Sequence, residues 1–321
     1  MTRISPKVVA LAGGVGGAKF ADGLARLLPP DHLTVIVNTG DDFEHLGLRI
    51  CPDLDTVCYT LAGKANPQTG WGLAGETFQA LQSLEELGGP AWFHLGDRDL
   101  GTHLERTRRL SLGQPLSQVT RLFCQAWKIP ITVLPVTDDL APTVVLTTQG
   151  ELSFQEYFVH RQCQPSVTGF RFEGIEQARP APGVLEALRE ADLVLFCPSN
   201  PWVSLDPILA VPGVRQALVD ARGNRGLPVV AVSPIIGGKT VKGPAAKMFA
   251  ELGIAPSALA VAEHYGSLCS GFVLDLLDEK LAEEIRCLGL KTLATDTLMN
   301  HPEDRLRLAA EVLAFFGGKG V

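Results

Sequence analysis

Short apolar runs bounded by glycine, proline or polar residues recur along the whole chain. Runs without polar and apolar alternation are typical of strands that are buried on both faces of a parallel sheet. The runs predict strands at Lys7–Ala12, Leu33–Val37, Ile131–Val136, Leu193–Cys197 and Val229–Ser233, with weaker candidates at Leu259–Glu263 and Phe272–Asp275.

Between these runs, apolar residues return at helical spacing. Phe20, Leu24 and Leu28 share one helical face, and Pro29 follows directly and ends that segment. The same spacing predicts helices at Gly17–Leu28, Gly75–Leu87, Leu116–Trp127, Val184–Ala191, Ala245–Leu252 and Glu303–Phe316.

The alternation of strands and helices predicts an α/β fold, a modified Rossmann-like domain with a mostly parallel, doubly wound sheet. One segment departs from the alternation. Thr143–Thr148 and Leu152–Phe158 have the pattern of a hairpin around Gln149 and Gly150. We therefore expect a single domain over residues 1–321, with an inserted small β/helical element at about 140–180.

Composition narrows the class of protein. The chain has 321 residues, 46% of them hydrophobic, and a formal net charge of -7, which disfavours nucleic-acid binding. It has no lysine-rich block for a membrane surface and no apolar run near the roughly 20 residues of a membrane span. The seven scattered cysteines form no C-x-x-C pair, which is typical of reduced core thiols. A cytoplasmic protein with neither nucleic-acid nor membrane partners is expected.

The glycine-rich stretch "AGGVGGAKF" lies between the first predicted strand and helix, where phosphate-binding loops occur. It does not match G-x-G-x-x-G, because Lys19 takes the third glycine position. It does not match the P-loop either, because no serine or threonine follows the lysine. Two interpretations stay open: a turn that permits close packing, or a backbone that approaches a phosphate beside Lys19.

Four aspartates follow the second predicted strand in "NTGDDFEHLGLRICPDLDT": Asp41, Asp42, Asp53 and Asp55. Pro52 is compatible with a helix start, which would explain one carboxylate near a positive helix end but not all four. If the segment is extended instead, Asp53 and Asp55 point to one face. Loops after parallel strands line one crevice, so this stretch and the glycine loop should face each other. Carboxylates next to a phosphate site indicate Mg²⁺, which would relieve their repulsion.

A second charged stretch, "WFHLGDRDLGTH", contains Asp97, Arg98 and Asp99. A salt-bridged surface turn and a phosphate-binding site built on Arg98 are both compatible with it. His94 and His103 lack the spacing of a metal site, and we interpret each as a bystander.

Donor-rich segments also follow two strands of the second half, "CPSNPWVS" and "SPIIGGKTVKGPAAK". Pro244 is suited to a first helical position, and Lys239, Lys242 and Lys247 surround that helix start. The segments predict a second anion site, so a substrate with two phosphates or a nucleotide is expected.

Together these stretches resemble a known family. The 2-phospho-L-lactate transferases, the CofD family, carry similar motifs in the same order over nearly the whole chain. The motifs are "GGVGGAKF", "VNTGDDFEHLGLRICPDLDTVCYTLAG", "WGLAGETF", "HLGDRDLGTH", "PLSQVT", "PSNPWVSLDPIL", "AVSPIIGGKTVKGPAAKM" and "DTLM".

The resemblance implies a step in the synthesis of coenzyme F420 by a Mg²⁺-dependent homodimer. A guanosine diphosphate-linked donor would pass a phospho-acid unit, 2-phospho-L-lactyl or phosphoenolpyruvyl, to the terminal ribityl hydroxyl of the deazaflavin Fo, releasing GMP. It implies metal ligands at Asp41, Asp42, Asp53 and Asp55, with Asp55 and Asp42 catalytic and Asp55 the expected base. It implies donor or phosphate binding at Gly13, Gly14, Gly16, Gly17, Lys19, Ser199, Asn200, Gly238, Lys239 and Lys242.

For the acceptor Fo, the resemblance implies binding by Asp55, Asp97 and Arg98, with a weaker contribution from His94. Some archaeal members carry a lysine at the position of His94, and a histidine is not an equivalent point charge. The main alternative is the related regulatory family that binds nucleotide sugars without turnover. The long "PDLDT" block together with "GDRD" favours the transferase over that regulator, and the glycine-loop mismatches disfavour a Rossmann dehydrogenase.

Overall fold

The computed structural model of the chain describes residues 5–317. Its strands are β1 (Val8–Ala12), β2 (Leu33–Val37), β3 (Phe43–His45), β4 (Leu48–Ile50), β5 (Thr132–Pro135), β6 (Thr143–Thr147), β7 (Gly150–Ser153), β8 (Val167–Phe172), β9 (Leu193–Phe196), β10 (Val229–Val232), β11 (Ile235–Ile236), β12 (Lys239–Thr240), β13 (Gly271–Asp275) and β14 (Lys291–Thr295).

Its α-helices are α1 (Gly14–Ala25), α2 (Pro52–Leu61), α3 (Gln79–Glu86), α4 (Asp97–Ser111), α5 (Leu116–Ala126), α6 (Val184–Glu190), α7 (Asp206–Ala210), α8 (Val214–Arg225), α9 (Ala245–Glu251), α10 (Ala258–Tyr265), α11 (Ala282–Cys287) and α12 (Pro302–Phe316). Short 3₁₀ segments occur at Pro30–His32, Ile175–Gln177, Gly266–Leu268 and Leu276–Leu281, and π-type turns at Glu156–His160 and Pro201–Leu205.

Seven strands form one sheet in the order β14-β13-β10-β9-β1-β2-β5. Every neighbouring pair in this sheet is parallel. β1 lies inside the sheet, with β2 and then β5 on one side of it. On the other side lie β9, β10, β13 and β14, which come later in the sequence. The predicted α/β fold with a doubly wound parallel sheet is confirmed.

Both faces of the sheet are covered, as alternate residues of β1 show. Val8, Ala10 and Ala12 belong to a core cluster with α1, α2, α5 and α12, whereas Val9 and Leu11 belong to a cluster with α6 to α11. Side chains alternate between the faces of a strand, so an apolar run without polar breaks contributes to both layers. Burial of both faces therefore holds the sheet between two helical layers.

Three antiparallel strands, β7-β6-β8, form a small sheet of their own outside the main one. They lie between residues 143 and 172, within the range predicted for an inserted element. The second strand of the predicted hairpin is shorter than expected, because β7 ends at Ser153 and the chain turns into the π-type segment Glu156–His160. Phe154, just before that segment, is buried in the core cluster that includes Val9 and Leu11.

One secondary-structure prediction is wrong for an identifiable reason. Leu259–Glu263 is not a strand but part of α10, and the Ser257 side chain accepts a hydrogen bond from the Ala260 N–H at 3.0 Å as the helix begins. A short apolar run fits a strand or a buried helix, and the serine N-cap is the signal that separates them. The stretch around Asp97 is not a turn, because α4 begins at that residue.

Helices α1 and α12 approach closely at Gly23. A methyl group on Gly23 would lie 2.2 Å from the Arg305 carbonyl oxygen, so only glycine fits this contact. We expect Gly23→Ala to lower the free energy of unfolding by about 1–3 kcal/mol, the usual cost of overpacking. Urea denaturation with an unchanged m-value measures the difference.

Gly223 in α8 is the matched control. It is also inside a helix, but a methyl group there would meet nothing within 4 Å. Gly223→Ala should raise the free energy of unfolding by about 0.5–1 kcal/mol, because alanine loses less backbone entropy in a helix. Equal stability of Gly23→Ala and the unsubstituted protein would contradict the close contact.

Candidate active site

The main cavity opens at the carboxyl ends of the parallel strands. The sheet order reverses between β1 and β9, and the loops after these strands part there to leave a crevice, the usual ligand site of such sheets. The cavity has a volume of about 790 Å³, which is ample for a nucleotide-sized ligand. Segments following β1, β2, β9, β10 and β14 all contribute to its lining.

The glycine loop packs against the segment that follows β9. A methyl group on Gly16 would lie 2.2 Å from the Pro198 carbonyl oxygen, so the two backbones approach as closely as glycine allows. The Ser199 hydroxyl donates to the Gly13 carbonyl oxygen at 2.7 Å. The loop therefore serves close packing, and Gly13 and Gly16 still line the cavity.

The first N–H of α1 is already used by the protein. Gly14 N donates to Asp53 Oδ1 at 2.7 Å, so a carboxylate takes the place at the helix N-terminus that a phosphate would take in a phosphate-binding loop. Asp53 lies in the first turn of α2, which begins at Pro52 as predicted. It therefore lies at the N-terminal ends of two helices.

A buried asparagine connects two of the four aspartates. The Asn38 amide nitrogen donates to Asp41 Oδ1 at 3.0 Å and to Asp53 Oδ2 at 2.9 Å, and it lies 3.0 Å from the Val203 carbonyl oxygen. The Asn38 carbonyl oxygen accepts from the Gly40 N–H, which tightens the turn after β2. Asn38 thus holds both carboxylates side by side at the end of β2.

Burial makes ionisation of the Asp41 and Asp53 carboxyl groups unfavourable. Burial raises the pKa of Asp41 well above its usual value, and repulsion from Asp53 adds to the effect. Burial also raises the pKa of Asp53 to about 6, although hydrogen bonds from Asn38 and Gly14 oppose the rise. Among residues 5–317, neither carboxylate forms an ion pair with a lysine or arginine, and their hydrogen bonds come from Asn38 and the Gly14 N–H.

The Asp41 and Asp53 pair fits a divalent cation in charge and ligand type. Mg²⁺ is commonly held by one or two carboxylates, with water and substrate phosphates completing its octahedron. Within residues 5–317 no group of three or more His, Cys, Asp or Glu is placed to hold a metal ion by itself. The structure does not bring the four predicted metal ligands together, because Asp42 and Asp55 each face an arginine instead.

Asp42 belongs to the neighbouring hairpin of β3 and β4. Its carboxylate accepts a hydrogen bond from Arg49 Nη2 at 3.2 Å, and its side chain does not line the cavity. Burial raises the pKa of Asp42 to about 6, and the positive charge of Arg49 opposes that rise. Asp42 therefore forms a buried ion pair with Arg49 outside the cavity lining.

Asp55 lies one helical turn into α2 and does line the cavity. Its Oδ1 accepts a short hydrogen bond from Arg106 Nη2, and its Oδ2 lies 3.7 Å from His103 Nδ1. Burial raises the pKa of Asp55, while the charge of Arg106 opposes that rise. Asp55 is therefore a buried carboxylate with one oxygen paired to Arg106 and the other without a hydrogen-bond partner among the described residues.

Asp97 and Arg98 lie outside the cavity lining. Asp97 begins α4 and accepts hydrogen bonds from the backbone N–H groups of Gln79 and Ala80 at 3.1 and 3.0 Å, which satisfies the start of α3. Arg98 donates through Nη1 to the Ala74 carbonyl oxygen at 2.6 Å. Both therefore hold the 74–80 segment, and the structure does not bring them together with the aspartates of α2.

The predicted site residues divide into those that line the cavity and those that do not. Those that line the cavity are Gly13, Gly14, Gly16, Lys19, Asp41, Asp53, Asp55, His94, Ser199, Asn200 and Lys242. Those outside the lining are Gly17, Asp42, Asp97, Arg98, Gly238 and Lys239. Gly238 and Lys239 belong to the tight hairpin of β11 and β12, which turns them away from the cavity.

Two lysines contribute positive charge to the cavity. Lys19 Nζ donates to the Met299 carbonyl oxygen at 2.7 Å, and Lys242 Nζ donates to the Thr69 carbonyl oxygen at 2.5 Å. Burial lowers the pKa of Lys19, and the charges of Arg305 and Lys242 add to that effect. Because neither lysine has a carboxylate partner in these bonds, both are suited to meet an anionic ligand.

Aromatic side chains form one wall of the cavity. Trp92 stacks on His160 at 5.1 Å between ring centroids with an interplanar angle of 23°, and Phe154 stacks on Phe158 at 5.5 Å and 8°. Trp92, Phe154 and Phe158 all line the cavity, and Phe158 is 39% exposed. A large apolar surface with planar rings is suited to a flat heteroaromatic ligand.

Sequence reasoning missed several residues of the site. His103 was interpreted as a bystander, yet it lines the cavity between Asp55 and Asp99. Arg106 was not singled out, although it forms the ion pair of Asp55. Asp99, His103 and Arg106 repeat at helical spacing, so recognising α4 would have placed all three on one face.

Comparison with known proteins identifies the family. The sequence profile described as 2-phospho-L-lactate transferase CofD matches residues 8–298. A Streptomyces coelicolor protein named phosphoenolpyruvate transferase is 46% identical over 313 residues, which cover 96% of this chain and 97% of that relative. A Mycobacterium tuberculosis protein of the same name is 44% identical, over 84% of this chain and 86% of that relative.

A solved structure of a UPF0052-family protein from Bacillus halodurans shares the fold, with a TM-score of 0.61 at 16% identity over 95% of this chain and 99% of that one. The chain belongs to the CofD family of 2-phospho-L-lactate transferases. It is an enzyme of coenzyme F420 biosynthesis that transfers a phospho-acid unit. No helix within residues 5–317 is long and apolar enough to cross a membrane.

The raised pKa of Asp53 predicts how stability depends on pH in the metal-free protein. A carboxyl group whose pKa is raised to about 6 holds its proton more tightly in the folded state, so stability falls as pH rises from about 4 to about 6. Asp53→Asn should remove up to about 3 kcal/mol of that fall. Urea denaturation in chelator at several pH values measures it.

Asp97→Asn is the control with the opposite sign. Hydrogen bonds from Thr77, Ala80 and Gln79 lower the pKa of Asp97, so this residue contributes stability at neutral pH that is lost on acidification. The Asp97→Asn protein should therefore lose less stability than the unsubstituted protein between pH 5 and about pH 3. If the free energy of unfolding depends on pH in the same way in Asp53→Asn and in the unsubstituted protein, Asp53 is not the group responsible for the fall in stability between pH 4 and about pH 6.

Proposed function

We propose that this enzyme transfers a phosphoenolpyruvyl unit from a guanosine diphosphate-linked donor to the terminal ribityl hydroxyl of Fo, releasing GMP, with Mg²⁺ as cofactor. The observation that carries the proposal is the cavity itself, which is lined by an aspartate pair without a lysine or arginine partner, by Asp55 and by an aromatic wall. The enolpyruvyl unit is favoured over 2-phospho-L-lactyl because relatives 44–47% identical are named phosphoenolpyruvate transferases.

The reaction balances without any redox step. The hydroxyl oxygen of the acceptor forms a bond to the phosphorus that bears the acid, and the bond from that phosphorus to the oxygen of the GMP phosphate breaks. The hydroxyl proton passes to a carboxylate, and GMP leaves with the bonding electron pair. The chemistry requires a base near the hydroxyl and positive charge near the phosphoryl oxygens.

The chain's own residues fit these roles. Asp55 lines the cavity, and its buried Oδ2 has no hydrogen-bond partner among the described residues, which suits this carboxylate to accept the proton of the acceptor hydroxyl. Asp41 and Asp53 would hold Mg²⁺, which when bound supplies positive charge against the phosphoryl oxygens. Lys19 and Lys242 are suited to the donor diphosphate, and each can exchange its present carbonyl partner for a phosphate oxygen.

The aromatic wall suits the acceptor ring. A deazaflavin is a flat tricyclic system, and offset stacking on Trp92 or Phe158 would bury its face without needing a charge. His94 lies on the same side of the cavity and is exposed. This arrangement would replace the contact of a lysine at that position with stacking on the aromatic rings of the wall.

The proposal is tested by product analysis. Protein, Fo, Mg²⁺ and guanylylated donors in enolpyruvyl and lactyl forms are incubated and separated by anion exchange. We expect a more anionic deazaflavin with unchanged absorbance and an equal amount of GMP, with faster turnover of the enolpyruvyl donor. Asp55→Asn should lower turnover by about 100-fold or more, because the proton acceptor is lost.

Two results would reject the proposal. Absence of GMP with every donor, from protein shown to be folded, would exclude the transfer. Undiminished turnover in excess EDTA would exclude the role of Mg²⁺.

The aromatic wall gives a separate prediction about substrate affinity. Phe158→Ala should raise KM for Fo about twofold to twelvefold, since an aromatic contact contributes about 0.5–1.5 kcal/mol. KM for the donor should stay within about twofold.

Phe78 is a matched control, because it is another exposed phenylalanine, 46% exposed, that does not line the cavity. A rise in donor KM alone would place the guanosine, rather than the deazaflavin, against Phe158.

A further inference from the structure

Residues 64–74 form a compact loop between α2 and α3, the 64–74 loop. Its two ends are joined, because Ala74 N donates to the Lys64 carbonyl oxygen at 2.8 Å. Near its middle, Gly70 N donates to the Asn66 carbonyl oxygen at 2.8 Å. Closed loops of this length keep their own shape and often carry functional residues. The backbone bonds of the loop therefore give its tip a defined conformation.

The tip of the loop, residues 69–72, lies against the start of α1 and beside a lysine of the cavity. A methyl group on Gly70 would lie 2.7 Å from Val15 Cγ1 and 3.3 Å from Lys242 Nζ. The Lys242 ammonium group also donates to the Thr69 carbonyl oxygen. The tip is thus held at the part of the cavity lining that contains the glycine loop and Lys242.

Trp71 is the large side chain of this tip. It lines the cavity and is 48% exposed. No other aromatic ring within residues 5–317 packs against Trp71, whereas Trp92 stacks on His160 and Phe154 stacks on Phe158. An indole that lines a cavity without a ring partner in the protein is suited to stack on a planar group of a ligand.

Two planar groups enter the cavity in the proposed reaction, the deazaflavin of Fo and the guanine of the donor. The aromatic wall of Trp92 and Phe158 suits the deazaflavin. Trp71 follows Gly70, which lies beside Lys242, and the proposed function brings the donor diphosphate to that lysine. Guanine is joined to the diphosphate through one ribose and departs with GMP, so it lies away from the reacting phosphorus. The half-exposed Trp71 therefore suits the guanine.

We propose that Trp71 binds the donor by stacking on its guanine base, and that the contact of Gly70 with Val15 places the indole for this role. The inference rests on the proposed function, which supplies the guanosine diphosphate-linked donor. Stacking requires only the flat face of a base. Trp71 therefore favours a donor that carries a nucleobase, and other groups of the cavity distinguish guanine from other purines.

The experiment measures binding without turnover, by titrating the protein with GDP and, separately, with Fo in the presence of Mg²⁺. We expect Trp71→Ala to raise Kd for GDP about fivefold to 150-fold, the usual effect of removing an aromatic side chain from a stacked base. Kd for Fo should change by less than about twofold, as for a substitution away from the ligand. Trp71→Phe retains a ring and should bind GDP more tightly than Trp71→Ala.

Phe78→Ala is the control for loss of an exposed aromatic side chain. Phe78 is 46% exposed and lies outside the cavity lining, so its removal should change Kd for GDP by less than about twofold. Indole fluorescence gives a second readout, because a stacked base quenches it. The change in emission on adding GDP should be smaller in Trp71→Phe, which keeps the three other tryptophans, than in the unsubstituted protein.

A pair of glycine variants tests the placement of the tip. Gly70 and Gly63 both have positive φ angles, 79° and 66°, so alanine is strained at either position. Only at Gly70 would the added methyl group meet Val15, because nothing lies within 4 Å of it at Gly63. We expect Gly70→Ala to raise Kd for GDP about fivefold or more and Gly63→Ala to leave it within about twofold. Equal Kd values in the two variants would overturn the placement by Val15.

The remaining outcomes separate the inference from the proposed function. An unchanged Kd for GDP in Trp71→Ala would overturn the stacking role, as would folded unsubstituted protein that binds no GDP. A rise in Kd for Fo without a rise for GDP would also overturn it, and would place the deazaflavin against Trp71. Absence of GMP formation with every donor would reject the transfer alone, because the binding constants are measured without turnover.

Discussion

Burial of carboxylates at the carboxyl edge of a parallel sheet is the constraint on which the cavity depends. Desolvation alone would protonate or expel such groups, so each of the four aspartates after β2 has a specific partner. Asn38 and the start of α1 hold Asp41 and Asp53, whereas Arg49 and Arg106 hold Asp42 and Asp55. The four aspartates therefore form two different pairs: Asp41 and Asp53 are held by neutral hydrogen-bond donors, whereas Asp42 and Asp55 are each paired with an arginine.

That division follows from topology. β1 and β2 are neighbours, so the turn after β2 lies beside the glycine loop, and α2 returns its first turn to the same edge. The segment after β9 meets the glycine loop from the other side through Ser199. Segments far apart in sequence therefore converge on one crevice, and the backbone contacts between them leave little room for larger side chains.

The cavity also separates charge from apolar surface. The aspartate pair and the two lysines lie near the strand ends, whereas Trp92 and the phenylalanines that follow β7 form a wall of another character. A ligand with an anionic end and a flat aromatic end would be oriented by this separation alone. The segment that follows β7 of the small antiparallel sheet thus contributes Phe154 and Phe158 to the cavity lining, although that sheet lies outside the main one.

The sequence by itself determined the strand runs, the alternation with helices, the convergence of the glycine and aspartate loops, and the family resemblance, because these follow from local periodicity and short motifs. Only the tertiary structure decided which carboxylates face an arginine and which face each other. It also revealed α4, whose charged stretch lacks a long apolar stripe, and so placed Asp97 at a helix start and His103 in the cavity. Pairings between side chains dozens of residues apart depend on packing, and no local pattern records them.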